Sequence, residues 1–144
     1  MTYRFRLLFI GVLLISGSVY ASVFLESFEA ALLEDGSVEV MWETGSERDT
    51  AGFYIQRSVD IEVLLDPSTA ADPSLRVNEA LIPGRGDTTS GASYSLIDDD
   101  TLAGETYYYM LLEITFSGDV VTYPGEIVSV AIQRNFYLPL LQGG

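Results

Sequence analysis

Asp98-Asp99-Asp100, with Glu105 close behind, is the densest group of side chains able to do chemistry in this chain. Three adjacent carboxylates repel one another, and a hard cation such as calcium relieves that repulsion through oxygen ligands. Asp98, Asp99 and Asp100 are therefore the calcium candidates. Their spacing is not that of an EF-hand loop, and an acidic run in a turn is ordinarily a solvated loop, so no metal and no other cofactor is assigned. Carboxylates are also all that remains for catalysis. The 144 residues include no histidine, no cysteine and no lysine. That removes a Ser-His-Asp triad, thiolate and amine nucleophiles, and zinc sites built from His and Cys. Only a carboxylate pair of the glycoside-hydrolase kind is left. The acids are spread over turns and outward strand positions, so the expectation is no catalytic residue and no enzyme.

Two further groups invite a binding role. Arg85-Gly86-Asp87 spells the tripeptide that integrins read, inside the glycine-rich stretch 83–92. Three-residue strings arise easily by chance, and no function is rested on it. Tyr54, Tyr94 and Tyr108 fall at positions expected to face outward from strands, which makes them the binding candidates. The competing account of an outward tyrosine on a strand is cross-strand packing.

The elements that must position these residues follow a period of two rather than 3.6. Val38, Val40 and Trp42 alternate with polar residues, as do Phe53 and Ile55. Residues 93–97 form a shorter strand candidate. The segment 106–116 is aromatic and β-branched, as suits a half-buried pleated surface. Ser117-Gly118-Asp119 then marks a turn into 120–132, a hairpin pattern. A first strand over about 24–33 ends at the turn signal Glu34-Asp35-Gly36, and 77–82 reads as an edge strand stopped by Pro83. Residues 66–74 and 83–92 read as loops, and no segment reads as a helix after the N-terminal one. Six or seven antiparallel strands of this kind close a core as two packed sheets.

At the N-terminus Arg4 and Arg6 precede an apolar run from Leu7 to Ile15, followed by small residues up to Ala21. This order is that of a secretory signal peptide over 1–21, cleaved before Ser22. The alternative is an uncleaved anchor reaching about Leu25, near the shortest length that spans a bilayer. Either way the arginines stay inside and the sandwich, 22–134, lies outside the cytoplasm. The chain carries a net charge of −14. Such a surface repels phosphate backbones and anionic headgroups, which argues against nucleic acid and leaves membrane contact only to an uncleaved N-terminal segment.

Trp42, Thr44, Glu47, Gly52, Phe53, Ile55, Arg57 and Ser58, in that spacing, resemble the fibronectin type III-like modules of secreted bacterial proteins. Gly91-Ala92-Ser93-Tyr94-Ser95 with Asp98, and Gly104-Glu105-Thr106-Tyr107-Tyr108-Tyr109, are similar to the second half of such modules. The resemblance covers roughly 28–132. It implies an all-β, fibronectin type III-like (immunoglobulin-like) sandwich with Trp42 in the inter-sheet core and a Tyr107 hydroxyl bonded back to nearby backbone. Tyr109 and Leu111 share that inward face. Ala103 departs from the proline often found before the glycine of this turn. An Arg57–Glu47 ion pair is expected to hold the connection between the second and third strands. The tail 135–144, containing Tyr137-Leu138-Pro139-Leu140, resembles the endings of some secreted proteins from filamentous bacteria; it serves either sorting or packing on a sandwich edge.

The function expected is a non-catalytic, secreted or envelope-attached module that binds or spaces other proteins or surface glycans. The alternatives are a single-pass accessory subunit of a membrane complex and, behind it, a carboxylate-dependent glycan enzyme.

Overall fold

A computed structural model describes residues 23–134. The expected signal segment 1–21 and the tail 135–144 lie outside the described residues; Val23 to Leu25, which the anchor alternative included, are strand. Among the described residues no helix is long and apolar enough to cross a membrane.

Among the described residues eight strands form two antiparallel sheets, more than the six or seven expected. Strands β1 (Val23–Leu32), β2 (Val38–Glu47) and β5 (Ser93–Asp98) make one sheet in the order β1-β2-β5. The other has the order β4-β3-β6-β7, with β8 also on β6. Its members are β3 (Thr50–Ser58), β4 (Ile82–Pro83), β6 (Thr106–Thr115), β7 (Val120–Thr122) and β8 (Val128–Ala131). The expected return strand 120–132 is thus two strands, because Pro124–Glu126 forms a 3-10 turn that interrupts pairing with β6. Of 77–82 only Ile82 joins a ladder with β3, together with Pro83, while Val77 N–H donates to Ile55 O at 2.8 Å beside an isolated Arg76–Gln56 bridge. Upstream, Asn78 replaces a strand with its side chain. Its Oδ1 accepts from Ile55 N–H at 2.9 Å and its Nδ2 donates to Phe53 O at 3.2 Å.

The period-two pattern explains the core. Val38, Val40 and Trp42 from one sheet meet Phe53, Ile55, Tyr109 and Leu111 from the other, all fully buried. The Trp42 ring lies edge-on to Phe53 at 5.8 Å between centroids. The chain crosses from one sheet to the other between Glu47 and Thr50, and Asp49 takes a left-handed φ of 59° there, a conformation Asp tolerates better than most residues.

The other side of the β6 sheet is covered. Residues 59–80, between β3 and β4, lie over it and include a one-turn helix, α1 (Ile61–Leu65), which the sequence pattern does not predict. Leu64 packs with Met110 and Leu112, and Tyr54, Tyr108, Val120 and Ile127 surround them. The turns of this cover are started by aspartates. Asp60, Asp66 and Asp72 each accept a hydrogen bond from the backbone N–H two residues on. Gln56, fully buried beneath, donates to Thr69 O at 3.0 Å.

Candidate functional site

Opposite ends of the two sheets hold the buried carboxylates. At one end Asp98, only 2% exposed, ends β5 on the inward face. Arg57 Nη1 donates to both of its oxygens, at 2.6 and 2.8 Å, and Tyr109 Oη donates to Oδ2 at 2.8 Å. Arg57 also reaches Asp100, through its carbonyl at 2.7 Å and its carboxylate at 3.3 Å. Burial lowers the guanidinium's hold on its proton, but the hydrogen bond and charge of Asp98 reverse this and leave it raised. The Tyr109 hydroxyl is pushed strongly up, first by burial and then by Asp98. Alongside, the Tyr107 hydroxyl accepts from Leu102 N–H at 3.1 Å, the backward bond that the turn pattern predicts. Gly104 between them has φ +95°, and the Arg134 guanidinium packs where a Cβ would stand.

This geometry corrects two expectations. Arg57 does not pair with Glu47, because the chain crosses between the sheets at 48–49 and β3 then runs seven steps from Thr50 to Arg57, roughly 23 Å at about 3.3 Å each. Nor do Asp98, Asp99 and Asp100 gather as ligands. Strand alternation turns Asp98 inward and Asp99 outward, and both Asp98 oxygens are taken by Arg57 and Tyr109. Among the described residues no group of three or more acids converges on a metal position.

At the other end the buried carboxylate is Glu47, 5% exposed. Its Oε1 accepts from the Thr44 hydroxyl at 2.7 Å and the Tyr94 hydroxyl at 2.6 Å, and its Oε2 accepts from Gly86 N–H at 2.8 Å. The Tyr94 hydroxyl in turn accepts from Arg85 N–H at 2.7 Å. Burial, then the bond to Glu47, raises the Tyr94 hydroxyl. The 84–92 loop is therefore stapled to β2, and Gly91 is required where it passes, since a Cβ there would overlap Thr44 O. Glu113 lies fully buried on the inward face near this end. It accepts from the Thr50 hydroxyl at 2.8 Å and the Tyr123 hydroxyl at 2.6 Å.

Of the three tyrosine candidates, Tyr94 does not face outward. It is 6% exposed and stacks on Trp42 at 5.0 Å, because its partner in the β2–β5 register is Trp42 itself. Tyr54 and Tyr108 do lie on the outer side of their sheet, but the 59–80 cover half-buries them, and Arg76 sits 4.0 Å from the Tyr54 ring centroid. No aromatic platform results from the three. Arg85-Gly86-Asp87 is likewise engaged. The Arg85 guanidinium lies 4.4 Å from the Tyr94 centroid and donates to Ser93 O. The Asp87 carboxylate accepts from the N–H groups of Thr89 and Ser90 at 2.7 and 2.8 Å, which holds it at about 2.

Two hollows are open to solvent. One, about 610 Å³, lies at the Asp98 end among Leu32, Ser37, Ala103 and Ile132, with Glu34, Asp35 and Asp99 on its walls. Ser37 donates to the Asp35 carboxylate through its hydroxyl and its amide and holds that group below its ordinary range, opposite to the shift that makes a general acid. The other, about 640 Å³, is a side cleft between β4 and β5 lined by Ile82, Pro83, Arg85, Ser93, Tyr94 and Ser95. Sequence reasoning did not find this cleft. Its only signal is the pairing of serines at 93 and 95 with a tyrosine between them. Comparison of the chain with protein-family models, with curated proteins and with solved structures returned no match.

Proposed function

We propose that this chain is a non-catalytic, extracytoplasmic module of the fibronectin type III-like kind that binds or spaces other proteins or surface glycans. The observation that carries the reading is where the reactive side chains go. Glu47, Asp98, Arg57 and Arg85 are spent tying loops to the sheets, while among the described residues nothing buries the outer side of the β1-β2-β5 sheet, where Glu39 and Met41 are half-buried and Glu43 is exposed. The strand order, the buried Trp42 and the Tyr107–Leu102 bond support the family likeness. Sandwiches of this shape carry many functions, so the assignment rests on the site and not on the fold.

One observation favours the anchored alternative, a single-pass accessory subunit. Phe24 and Phe116 are 65% and 77% exposed, and both flank the β2–β3 turn: Phe24 pairs with Ser46, and Phe116 N–H donates to Asp49 O. Val23 begins at the same end, so an apolar segment preceding it would bring these rings to a bilayer surface. Intact mass and the N-terminal residue of the protein from its native cells, with whatever co-purifies, separate the two. A chain starting at Ser22 and recovered without detergent alongside proteins or glycans fits the module. A chain starting at Met1 and extracted only with detergent beside other subunits replaces it with the anchored reading.

A further inference from the structure

Three of the four sheet edges carry a device that blocks strand addition. The β1 ladder has register breaks at Phe24/Leu25 and Leu25/Ser27; β4 is two residues long and ends in proline; β7 and β8 are split by the Pro124 turn. β5 has none. It is six residues long and pairs with β2 in unbroken register. Thr44 N–H donates to Ala92 O, so antiparallel alternation turns the backbone groups of 94 and 96 toward β2 and those of Ser93, Ser95 and Ile97 to the free edge. Among the described residues only Ser93 O is occupied there, by Arg85.

We propose that β5 is a strand-addition site for an extended segment that alternates apolar and basic residues; this rests on the binding-module reading and names its partner class. The alternation follows from the two sides of the edge. On the inward side a new strand would lay its side chains into the cleft beside Ile82, Pro83 and Tyr94, which suits apolar residues. On the outward side it would lie next to Ser93, Ser95 and Ile97; Ser93 is too small to shield its cross-strand partner Glu43 on β2, and beside Ile97 stands Glu39. A long cation reaches Glu43 across Ser93, and another reaches Glu39 by lying along the Ile97 side chain. A second copy of this chain is opposed by its own net charge of −14, and it has no lysine to offer. Backbone pairing supplies the affinity and the alternate side chains the selectivity.

The test uses the intact chain, with amide exchange read residue by residue, and an eight-residue peptide alternating arginine and valine. Exchange at Ser95 and Ile97 is expected to slow at least tenfold with that peptide and to stay unchanged with its glutamate–valine counterpart. Ile97→Pro removes an edge-facing N–H without touching the β2 ladder and is expected to abolish binding. Glu39→Gln with Glu43→Gln, both surface changes that leave the fold intact, is expected to weaken it about fivefold. Unchanged exchange at Ser95 and Ile97 at saturating peptide, or equal slowing by the glutamate peptide, overturns the proposal. Native partners that still co-purify with Ile97→Pro also overturn it but leave the module reading standing. A wild-type chain with which nothing co-purifies counts against that reading instead.

Discussion

At the Asp98 end of the sandwich a buried carboxylate meets a guanidinium; at the Glu47 end a buried carboxylate is held by two hydroxyls and a backbone amide. Both tie a connection to the core, and the means differ for a reason visible in the strands. Asp98 sits at the end of β5 facing the end of β3, so an inward long cation is within reach from the opposing sheet. Glu47 sits at the crossing between sheets, where Thr44, Tyr94 and the Gly86 amide reach it while the guanidinium of Arg85 in the 84–92 loop turns to Ser93 O and the Tyr94 ring. The ion-paired tie spans the two sheets; the tie made by hydroxyls and an amide fastens a loop to one of them.

Arg57→Ala breaks the comparison most severely. It strands the Asp98 carboxylate without its cation and is expected to cost about 3–5 kcal/mol in urea unfolding. Adding Asp98→Asn should recover part of that loss, and a double variant no more stable than the single one would show that the guanidinium acts mainly by packing. Glu47→Gln comes next, at about 1–3 kcal/mol, since one terminal amide cannot accept from all three donors. Its signature should be local: faster exchange at Gly86 with little change at Leu102. Tyr94→Phe removes one donor to Glu47 and one acceptor from Arg85 and is expected to cost about 1 kcal/mol by thermal unfolding while the stack on Trp42 persists.

The smallest effect is one of pH. Asp87 has its carboxyl lowered from an ordinary 3.8 to about 2, by the amides and hydroxyls of Thr89 and Ser90. A depressed value means that ordering of the loop is fully supported above pH 3.8 and is lost as the pH falls through about 2. The Thr89 amide chemical shift, followed in acid, checks this. A titration midpoint near 3.8 would mean that the loop leaves Asp87 unbound in solution.

The strands were legible in the residues wherever one face is buried and the other wet. β2, β3 and β6 declare themselves by alternation, and Gly104 three residues before Tyr107 announces the backward hydroxyl bond. Tyr94 was misplaced although Ser93 and Ser95 on either side carry the signal that it faces in. The Arg57–Asp98 pair was illegible because its members lie 41 residues apart and meet only through the packing of two sheets. Helix α1 was missed because a single turn containing β-branched Ile61 and Val63 has no period to detect; only the Asp60 cap marks it. The exposed edge of β5 is a property of sheet order, which no local pattern records.

The placement of the first and last strands has a mechanical consequence. β1 starts beside Glu47 and runs toward the Asp98 end, and β8 finishes at that far end opposite Thr106. Tension applied through Val23 and Ala131 therefore pulls along the strands rather than across them. The β1–β2 ladder is loaded in shear, with its rungs strained together instead of parted one at a time. A unit built this way transmits force along its strands and yields abruptly rather than rung by rung.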